Sequence, residues 1–392
     1  MSSWLPLPAN TGFGPDTLPY GVVGDRVVVP IGDRLLDLAT ALARVDGALA
    51  RLVDRPTLDP LLAAGRSTWD AVRAIVHRLV TVDTPEHRRA VDAALRDQGP
   101  APQLPFTVAD YVDFYSSEQH ATNVGRIFRP DAPALPPAWK HVPIGYHGRA
   151  GTVVVSGTPV RRPRGILGPG RYGPSERLDI EAEVGFVVGT PSVLGEPVSA
   201  ADWREHVFGV VLLNDWSARD IQSFETRPLG PFLGKSFLTS VSPWVVPLAA
   251  LQPAFVDPPA QDPRPLDHLQ PAGPALDLAL EVQINGQLIS RPPAAALYWT
   301  PAQQLAHLTG NGASLRTGDL YASGTVSGGA SDQLGCLLEL TRGGQHPLHL
   351  PDGTTRTYLE DGDTVDITAT APGPSGTRLA LGTVTGTVTR AG

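Results

Sequence analysis

The sequence predicts a mostly β protein with α/β elements, divided into a small N-terminal unit and a larger C-terminal one. Short apolar segments alternate with glycine-rich turns along much of the chain, which is typical of sheets built from short strands. The length of 392 residues exceeds that of one ordinary domain. The 41 glycines and 40 prolines provide many turns, yet their share stays below the roughly 25–30% that is typical of disordered chains.

Residues 1–105 are predicted to form a domain separate from residues 106–392. A β-hairpin is expected over 20–30 with its turn at Gly24-Asp25, and another strand over 34–38. Apolar residues at helical spacing predict helices over 37–53 and 67–80. The segment 98–105 is rich in proline and turn residues, so the domain boundary is placed there.

The second unit is expected to begin with a helix and to continue mainly as strands. Thr107-Val-Ala-Asp110 has the pattern of an N-cap with an acidic residue three positions later. On a helix that begins there, Asp113 and His120 would share one face, because seven residues make about two turns. A surface loop without helix or strand is predicted over 253–274, and strands are predicted over 152–156, 178–188, 208–213, 278–284 and 364–368.

Charge and composition exclude several classes of partner. A net charge of −8 and a pI near 5.7 disfavour nucleic acids and anionic membranes. The single cysteine, Cys336, excludes an intramolecular disulfide framework and a cysteine zinc site. Prolines interrupt the two long uncharged runs, so no membrane span is expected, and no signal peptide is visible at the N-terminus. A cytoplasmic protein is therefore expected.

Four acidic residues lie in segments that otherwise favour burial: Asp113, Glu181, Glu183 and Asp215. A buried carboxylate costs several kcal/mol unless it is paired, protonated or bound to a metal. A set of oxygen ligands suits a hard divalent cation, Ca²⁺ or Mg²⁺, better than zinc. With His120 as a nearby candidate base, the pattern indicates a metal-assisted hydrolase.

Each of these segments also permits a plainer interpretation. Glu181 and Glu183 alternate with apolar residues, so both point to one side of a strand, and that side can simply face solvent. Asp215 follows an apolar strand, where it either projects into a site or caps the next helix with Arg219 as its i,i+4 partner. Arg219 and Gln222 are neighbours on that helix and can both donate hydrogen bonds toward one centre.

Two glycine-rich loops provide further candidates. Residues 230–236 have three residues between the glycines where a phosphate-binding loop has four, so nucleotide binding is rejected and Lys235 is interpreted as a positive charge on a turn. In 321–328, backbone amides and the Thr325 hydroxyl can hold a carboxylate, although an ordinary turn is the alternative. Glu339 lies between leucines and needs a partner, for which a histidine is suitable.

Several long motifs occur in an order that resembles the fumarylacetoacetase family. They are Asp113-Phe-Tyr-Ser-Ser-Glu-Gln-His-Ala-Thr-Asn-Val-Gly125, Pro143-Ile-Gly-Tyr-His-Gly-Arg149, Asn214-Asp-Trp-Ser-Ala-Arg-Asp-Ile-Gln222, Pro228-Leu-Gly-Pro-Phe-Leu-Gly-Lys-Ser236 and Ala322-Ser-Gly-Thr325. The resemblance implies hydrolysis of the carbon–carbon bond of fumarylacetoacetate, a small diketo acid, to fumarate and acetoacetate. It also implies an SH3-like β-barrel domain followed by a larger mixed β-sandwich roll that carries the site, and a homodimer.

The resemblance also assigns roles to individual residues. Asp113, Glu181, Glu183 and Asp215 are expected to bind the cation, and Lys235 with Thr239 to border a second one. His120 is expected to be the base, oriented by Glu339, with Arg219, Gln222 and Lys235 as donors to an oxyanion. Tyr115, Arg129, Tyr146, Gln222 and Thr325 are expected to hold the substrate. Thr226 stands where the family has a substrate-contacting tyrosine, so a different fit is expected at one end of the substrate.

Two other functions are compatible with the sequence. A related hydrolase or decarboxylase acting on acylpyruvates or oxaloacetate would keep the metal-binding acids. A non-catalytic, Ca²⁺-stabilised binding protein would need neither His120 nor Lys235.

Overall fold

The computed structural model describes residues 3–8 and 11–392, and its backbone is dominated by short strands. In chain order the strands are β1 (Gly21–Val23), β2 (Arg26–Ile31), β3 (Arg34–Asp37), β4 (Leu95–Arg96), β5 (Pro102–Gln103), β6 (Tyr111–Phe114), β7 (Gly145–His147), β8 (Val153–Val155), β9 (Val160–Arg161), β10 (Arg164–Gly168), β11 (Arg171–Pro174), β12 (Leu178–Asp179), β13 (Ala182–Val188), β14 (Val207–Asp215), β15 (Ser217–Ala218), β16 (Thr239–Val241), β17 (Val246–Pro247), β18 (Phe255–Val256), β19 (Ala275–Leu276), β20 (Ala279–Ile284), β21 (Gln287–Ser290), β22 (Leu320–Ala322), β23 (Leu348–His349), β24 (Thr355–Arg356), β25 (Thr364–Pro372) and β26 (Arg378–Thr389).

The helices are mostly short and several lie in the N-terminal part. They are α1 (Leu38–Ala43), α2 (Gly47–Arg51), α3 (Asp59–Ala63), α4 (Arg66–Thr81), α5 (Pro85–Ala94), α6 (Glu118–Phe128), α7 (Trp203–His206), α8 (Arg219–Glu225), α9 (Pro301–Thr309) and α10 (Leu337–Leu340). Within the described ranges, none of them combines the length and the apolar character that crossing a bilayer requires.

The N-terminal sheet has the strand order β4-β3-β2-β1-β5. The predicted hairpin is confirmed, with β1 antiparallel to β2 and the turn at Gly24-Asp25. Trp69, Val72, Val76 and Leu79 of α4 are buried on one stripe, as the spacing predicted. The helix predicted over 37–53 is two helices, because the Asp46 side chain accepts from the amides of Ala48 and Leu49 and begins α2 anew. Part of the predicted connector forms β5, which pairs with β1.

A central mixed sheet carries the rest of the fold, in the order β7-β6-β22-β13-β14-β16-β8 with β17 beside β14. Every residue of β14 is buried, as its continuous apolar sequence predicted. Phe208, Val211 and Leu213 face the core of the N-terminal unit. Val210 and Leu212 face the other core, which the central sheet shares with the sheet β21-β20-β25-β26-β9. The end of β14 is therefore held from both sides.

The predicted helix that begins near Thr107–Asp110 is wrong. Residues 111–114 form β6, which pairs with β22 on one side and β7 on the other, and α6 begins only after Ser117, whose hydroxyl accepts from the amide of His120. Tyr111-Val-Asp-Phe114 consists largely of β-formers, and pairing with a distant strand outweighs the local capping pattern. Asp113 and His120 therefore lie on different elements and do not share a helical face.

The loop predicted over 253–274 is also wrong in part. It contains β18, which pairs with β19, and 3₁₀ turns at Gln252–Ala254 and Asp267–Leu269. Leu269 and Ala254 are fully buried, so apolar side chains anchor this segment, although its prolines had indicated a surface loop.

Gly189, which directly follows β13, permits close packing between the N-terminal unit and the central sheet. A Cβ there would lie 2.3 Å from the Trp69 ring and 2.8 Å from the Leu62 carbonyl oxygen. We expect Gly189→Ala to lower the free energy of unfolding by about 1–3 kcal/mol because neither the ring nor the backbone can move freely. Urea denaturation measures this change. Gly47→Ala is the matched control, since its Cβ meets nothing within 4 Å, and an equal effect of both substitutions would contradict the prediction.

Candidate active site

The central sheet brings together the four acidic residues that the sequence singled out. Asp113 lies on β6, Glu183 on β13 and Asp215 at the end of β14, while Glu181 directly precedes β13. All four side chains are buried, and each offers a carboxylate oxygen within 4.8 Å of the others. The solvent-facing alternative for Glu181 and Glu183 is therefore wrong.

Two of the carboxylates are neutralised by buried cationic side chains. Lys235 Nζ contacts the Glu181 carboxylate and lies 2.7 Å from Asp215 Oδ2, and Arg219 Nη1 lies 2.6 Å from Glu181 Oε1. Burial alone would raise the pKa of Glu181, but Lys235 and Arg219 hold it below its ordinary value. Burial opposes the charge of Lys235, yet Asp215 and Glu181 raise its pKa above the usual value. Both groups are therefore charged at neutral pH.

The other two carboxylates lack such partners. Asp113 Oδ1 and both oxygens of Glu183 have no hydrogen-bond partner among the residues that the structure describes. Burial, and next the neighbouring carboxylates, raise the pKa of Asp113 and of Glu183 well above their ordinary values. Buried carboxylate oxygens that lack such partners, on two strands of one sheet with β22 between them, fit a hard divalent cation, which would supply the missing positive charge. The residues present therefore suit a Ca²⁺ or Mg²⁺ ion.

A cavity of about 120 Å³ lies beside the acids. Tyr146, Lys235 and Thr239 contribute to its wall. The Tyr146 hydroxyl donates to Asp215 Oδ2 at 3.0 Å, and the Thr239 hydroxyl donates to Asp215 Oδ1 at 2.7 Å. Asp215 is thus fixed by three donors, so its orientation does not depend on a bound ion.

His120 and Glu339 form a buried pair. His120 lies in the first turn of α6, and its Nδ1 is 2.7 Å from Oε2 of Glu339 on α10. Glu339 also accepts from Asn123, Ser327 and the Cys336 thiol. Burial opposes ionisation of Glu339, but His120 and the hydrogen bonds lower its pKa. An ionised Glu339 holds the proton of His120 on Nδ1, which leaves Nε2 free to accept another.

Arg219 begins α8, and its donors are distributed over several groups. Nε lies 2.8 Å from Asp179 Oδ2, and Nη1 donates to Glu181 and, at 3.2 Å, to Gln222 Oε1. Nη2 is buried and has no partner in the described part of the chain. The alternative in which Arg219 pairs with Asp215 is wrong, because the strand pair of β12 with β15 brings Asp179 to Arg219 instead.

The residues expected to hold the substrate are not equally close to the acids. Tyr146 contacts Asp215, and the Tyr115 ring packs edge-on against His120 with centroids 5.3 Å apart. The Thr325 hydroxyl is buried and, within residues 3–8 and 11–392, has no hydrogen-bond partner. Arg129 caps the other end of α6, roughly 13 Å along the helix from His120. Its Nη2 donates to the Ala134 carbonyl.

Sequence reasoning missed four residues that contact this site: Asp179, Asn123, Ser327 and Cys336. Asp179 is fully buried and pairs with Arg219. It lies in the apolar segment 178–188, so the argument that singled out Glu181 and Glu183 applies to it equally. The other three are neutral side chains that surround Glu339, and no local pattern distinguishes them from ordinary core residues.

Comparison with known proteins gives consistent matches over nearly the whole chain. Residues 16–103 match the family described as fumarylacetoacetase N-terminal, and residues 110–389 match the fumarylacetoacetate (FAA) hydrolase C-terminal family. The chain is 44% identical over 414 residues to the fumarylacetoacetase of Homo sapiens, with 98% of each chain covered. It is 41% identical over 417 residues to the fumarylacetoacetase of Arabidopsis thaliana, with 99% of this chain and 98% of the relative covered.

Two solved structures share the fold at low sequence identity. A fumarylacetoacetate hydrolase from Exiguobacterium antarcticum aligns with a TM-score of 0.57 and 16% identity, covering 95% of this chain and 99% of its own. A putative HpcE protein from Mycobacterium smegmatis aligns with a TM-score of 0.59 and 18% identity, covering 95% and 100%. At these identities the two structures establish only the architecture, a mostly β fold with a curled sheet and some helices.

The unpaired acids generate a prediction about metal binding. With chelator present, Glu183→Gln should leave the free energy of unfolding unchanged or raise it, because it removes a carboxyl group whose ionised form is unpaired and disfavoured by burial. With Ca²⁺ or Mg²⁺ at about 100 times its Kd, wild type should gain about 2.7 kcal/mol and the variant much less. Thermal or urea unfolding with chelator and with added metal measures both. Glu196→Gln, at an exposed position, should keep the full gain; an equal gain in Glu183→Gln would exclude Glu183 as a ligand.

The lowered pKa of Glu339 generates a prediction about acid stability. The native state favours the ionised carboxylate, so its contribution to stability is present above the ordinary pKa of 4.5 and is lost as pH falls through the native value. Glu339→Gln should therefore be less stable than wild type at neutral pH, with a difference that shrinks below about pH 4.5. Urea unfolding across this range tests it. A difference independent of pH would show that Glu339 is not preferentially ionised in the native state.

Proposed function

Because the chain belongs to the fumarylacetoacetase family, we propose that it hydrolyses the carbon–carbon bond of fumarylacetoacetate to give fumarate and acetoacetate. The observation that carries the proposal is the buried His120–Glu339 pair on a fold that also gathers four buried carboxylates. This arrangement combines a base with a strongly acidic pocket, as a hydrolase that uses a divalent cation requires. The relatives named above match over nearly their full lengths, which supports the same substrate.

Asp113, Glu181, Glu183 and Asp215 would hold the divalent cation, Ca²⁺ or Mg²⁺. Bound there, the ion supplies Lewis-acid polarisation of the diketone oxygens of the substrate. Lys235 and Thr239 would border a second cation in the adjacent cavity, since both line it. The hydroxyls of Tyr146 and Thr239 keep Asp215 in place whether or not an ion is bound.

His120 acts as general base in this proposal. Its Nε2 accepts a proton from water, and the water oxygen attacks the carbonyl next to the unsaturated acid. Glu339 stabilises the resulting imidazolium through Nδ1. Arg219, Gln222 and Lys235 donate to the tetrahedral oxyanion. When the carbon–carbon bond breaks, the departing electron pair passes to the carbonyl of the acetoacetate half as an enolate, which takes the proton back from His120.

The remaining assigned residues would fix the two carboxylate ends of the substrate. They are Tyr115, Arg129, Tyr146, Gln222 and Thr325. The buried Thr325 hydroxyl and Arg219 Nη2, both without partners among the described residues, supply donors of the kind a carboxylate or oxyanion accepts. Thr226, at the C-terminal end of α8, is smaller than the tyrosine of the family, so we propose looser recognition at that end.

The wider assignments rest on the same family membership. We propose an SH3-like barrel over residues 1–105, a β-sandwich roll that carries catalysis over 106–392, a homodimer and a cytoplasmic location. The reaction would complete the breakdown of phenylalanine and tyrosine. The net charge of −8 supports a small-molecule substrate rather than nucleic acid or an anionic membrane as the partner.

The function is tested with purified protein and authentic substrate. We expect loss of the diketone absorbance, equal amounts of fumarate and acetoacetate by proton NMR, and no turnover after chelation until Ca²⁺ or Mg²⁺ is restored. Acylpyruvates and oxaloacetate serve as competing substrates. Turnover of either one with no turnover of fumarylacetoacetate would assign the chain to a different activity within the same fold.

Substitution of the base gives a separate prediction. His120→Ala should lower kcat by roughly 10²–10⁴-fold while the protein remains folded, and His120→Asn should not restore activity because an amide cannot take the proton. The measurement is kcat against pH for each variant, with His77→Ala on α4 as a histidine control outside the site. A His120→Ala enzyme with more than about a tenth of wild-type kcat would show that His120 is not the base.

A further inference from the structure

Asp179 is a fully buried carboxylate that belongs to neither candidate metal-ligand group. Its Oδ1 accepts from the amides of Ile180 and Leu337, both at 2.7 Å. Its Oδ2 accepts from the amide of Leu338 at 3.0 Å and from Arg219 Nε at 2.8 Å. Four donors occupy the acceptor capacity of the carboxylate, so Asp179 is not available to a cation or to substrate.

The two sets of contacts lead to different parts of the catalytic apparatus. Leu337 and Leu338 begin α10, the short helix that carries Glu339 and so orients His120. Arg219 is the proposed oxyanion donor at the start of α8. Asp179 therefore connects the element that carries the base-orienting carboxylate to the guanidinium that would receive the developing charge.

The contact between Asp179 and Arg219 also determines which nitrogen of Arg219 remains available as a donor. Asp179 takes Nε, and Glu181 and Gln222 take Nη1. A guanidinium is planar and rigid, so contacts at two nitrogens fix the third. Nη2 is thereby held in a buried position without a partner in the described part of the chain. Without Asp179, the plane is free to turn about the remaining contacts.

We propose that Asp179 is a positioning residue, which aims Arg219 Nη2 at the reacting carbonyl. The inference rests on the proposed function, because the reacting carbonyl is that of the substrate. If Asp179 affects catalysis through Arg219, the effects on kcat of substituting the two residues must be non-additive.

The kinetic test is a double-mutant cycle with Asp179→Asn and Arg219→Lys. Alone, Asp179→Asn should lower kcat roughly 10²-fold, as expected when a catalytic donor is displaced by about 1 Å, with a smaller change in KM. In the Arg219→Lys background, Asp179→Asn should lower kcat by less than about threefold, because the donor that Asp179 positions is already absent. Asp179→Ser, which leaves space for water, replaces Asp179→Asn if that variant does not fold.

Asp363→Asn is the matched control. Asp363 is also a buried aspartate that bridges an arginine, Arg356, and a backbone amide, that of Glu360, but it directly precedes β25, outside the site. It should lower stability without lowering kcat. Asp179→Asn with kcat within about threefold of wild type, or with the same loss in both backgrounds, would overturn the positioning role.

A second measurement separates this inference from the proposed function. In ¹⁵N NMR spectra, the Arg219 Nε–H, identified by its absence in Arg219→Lys, should exchange slowly in wild type and at least about tenfold faster in Asp179→Asn, since its buried acceptor is gone. This holds whatever the substrate is. If wild type does not turn over fumarylacetoacetate, only the proposed function is overturned. If the Arg219 Nε–H exchanges at the same rate in Asp179→Asn as in wild type, the role of Asp179 is overturned.

Discussion

The site depends on one electrostatic constraint, which is that four carboxylates are buried together with too few positive charges to balance them. Among the described residues, Lys235 and Arg219 are the buried cations that contact this group: Lys235 contacts Glu181 and Asp215, and Arg219 contacts Glu181. Arg219 is shared further with Asp179. Asp113 and Glu183 are thus left with raised pKa values and with oxygens that have no hydrogen-bond partner in the part of the chain that the structure describes. A divalent cation removes this imbalance, because it adds two positive charges where the repulsion is greatest.

The sheet maintains this arrangement because its strands are held from both faces. The N-terminal unit packs on one side of β14 and the second sheet packs on the other. Close-packed cores of this kind resist displacement, so charged side chains at the strand ends stay in place despite their repulsion. The packing of the two cores therefore compensates for the unfavourable electrostatic energy of the acid cluster. A bound cation would lower that energy.

The His120–Glu339 pair and the acids lie on different parts of the fold but are connected by polar contacts. His120 and Glu339 come from two helices, whereas the acids come from strands of the central sheet. Arg219 lies between them: it contacts Glu181 among the acids, and through Asp179 it reaches the amides that begin α10. The relative position of the His120–Glu339 pair and the acids is therefore set by charge-assisted hydrogen bonds among buried groups, which a low-dielectric interior strengthens.

The sequence by itself indicated that Asp113, Glu181, Glu183 and Asp215 would be buried, and the tertiary structure decided which partners they meet. Acids in apolar segments indicated burial, and period-two alternation placed Glu181 and Glu183 on one side, because both are local properties of the chain. The helix predicted to join Asp113 with His120 was wrong because β6 is stabilised by β22, about 200 residues away. Likewise the partners Glu339 and Asp179 reach His120 and Arg219 across 219 and 40 residues. Pairing of this kind depends on strand order and packing, which no local pattern contains.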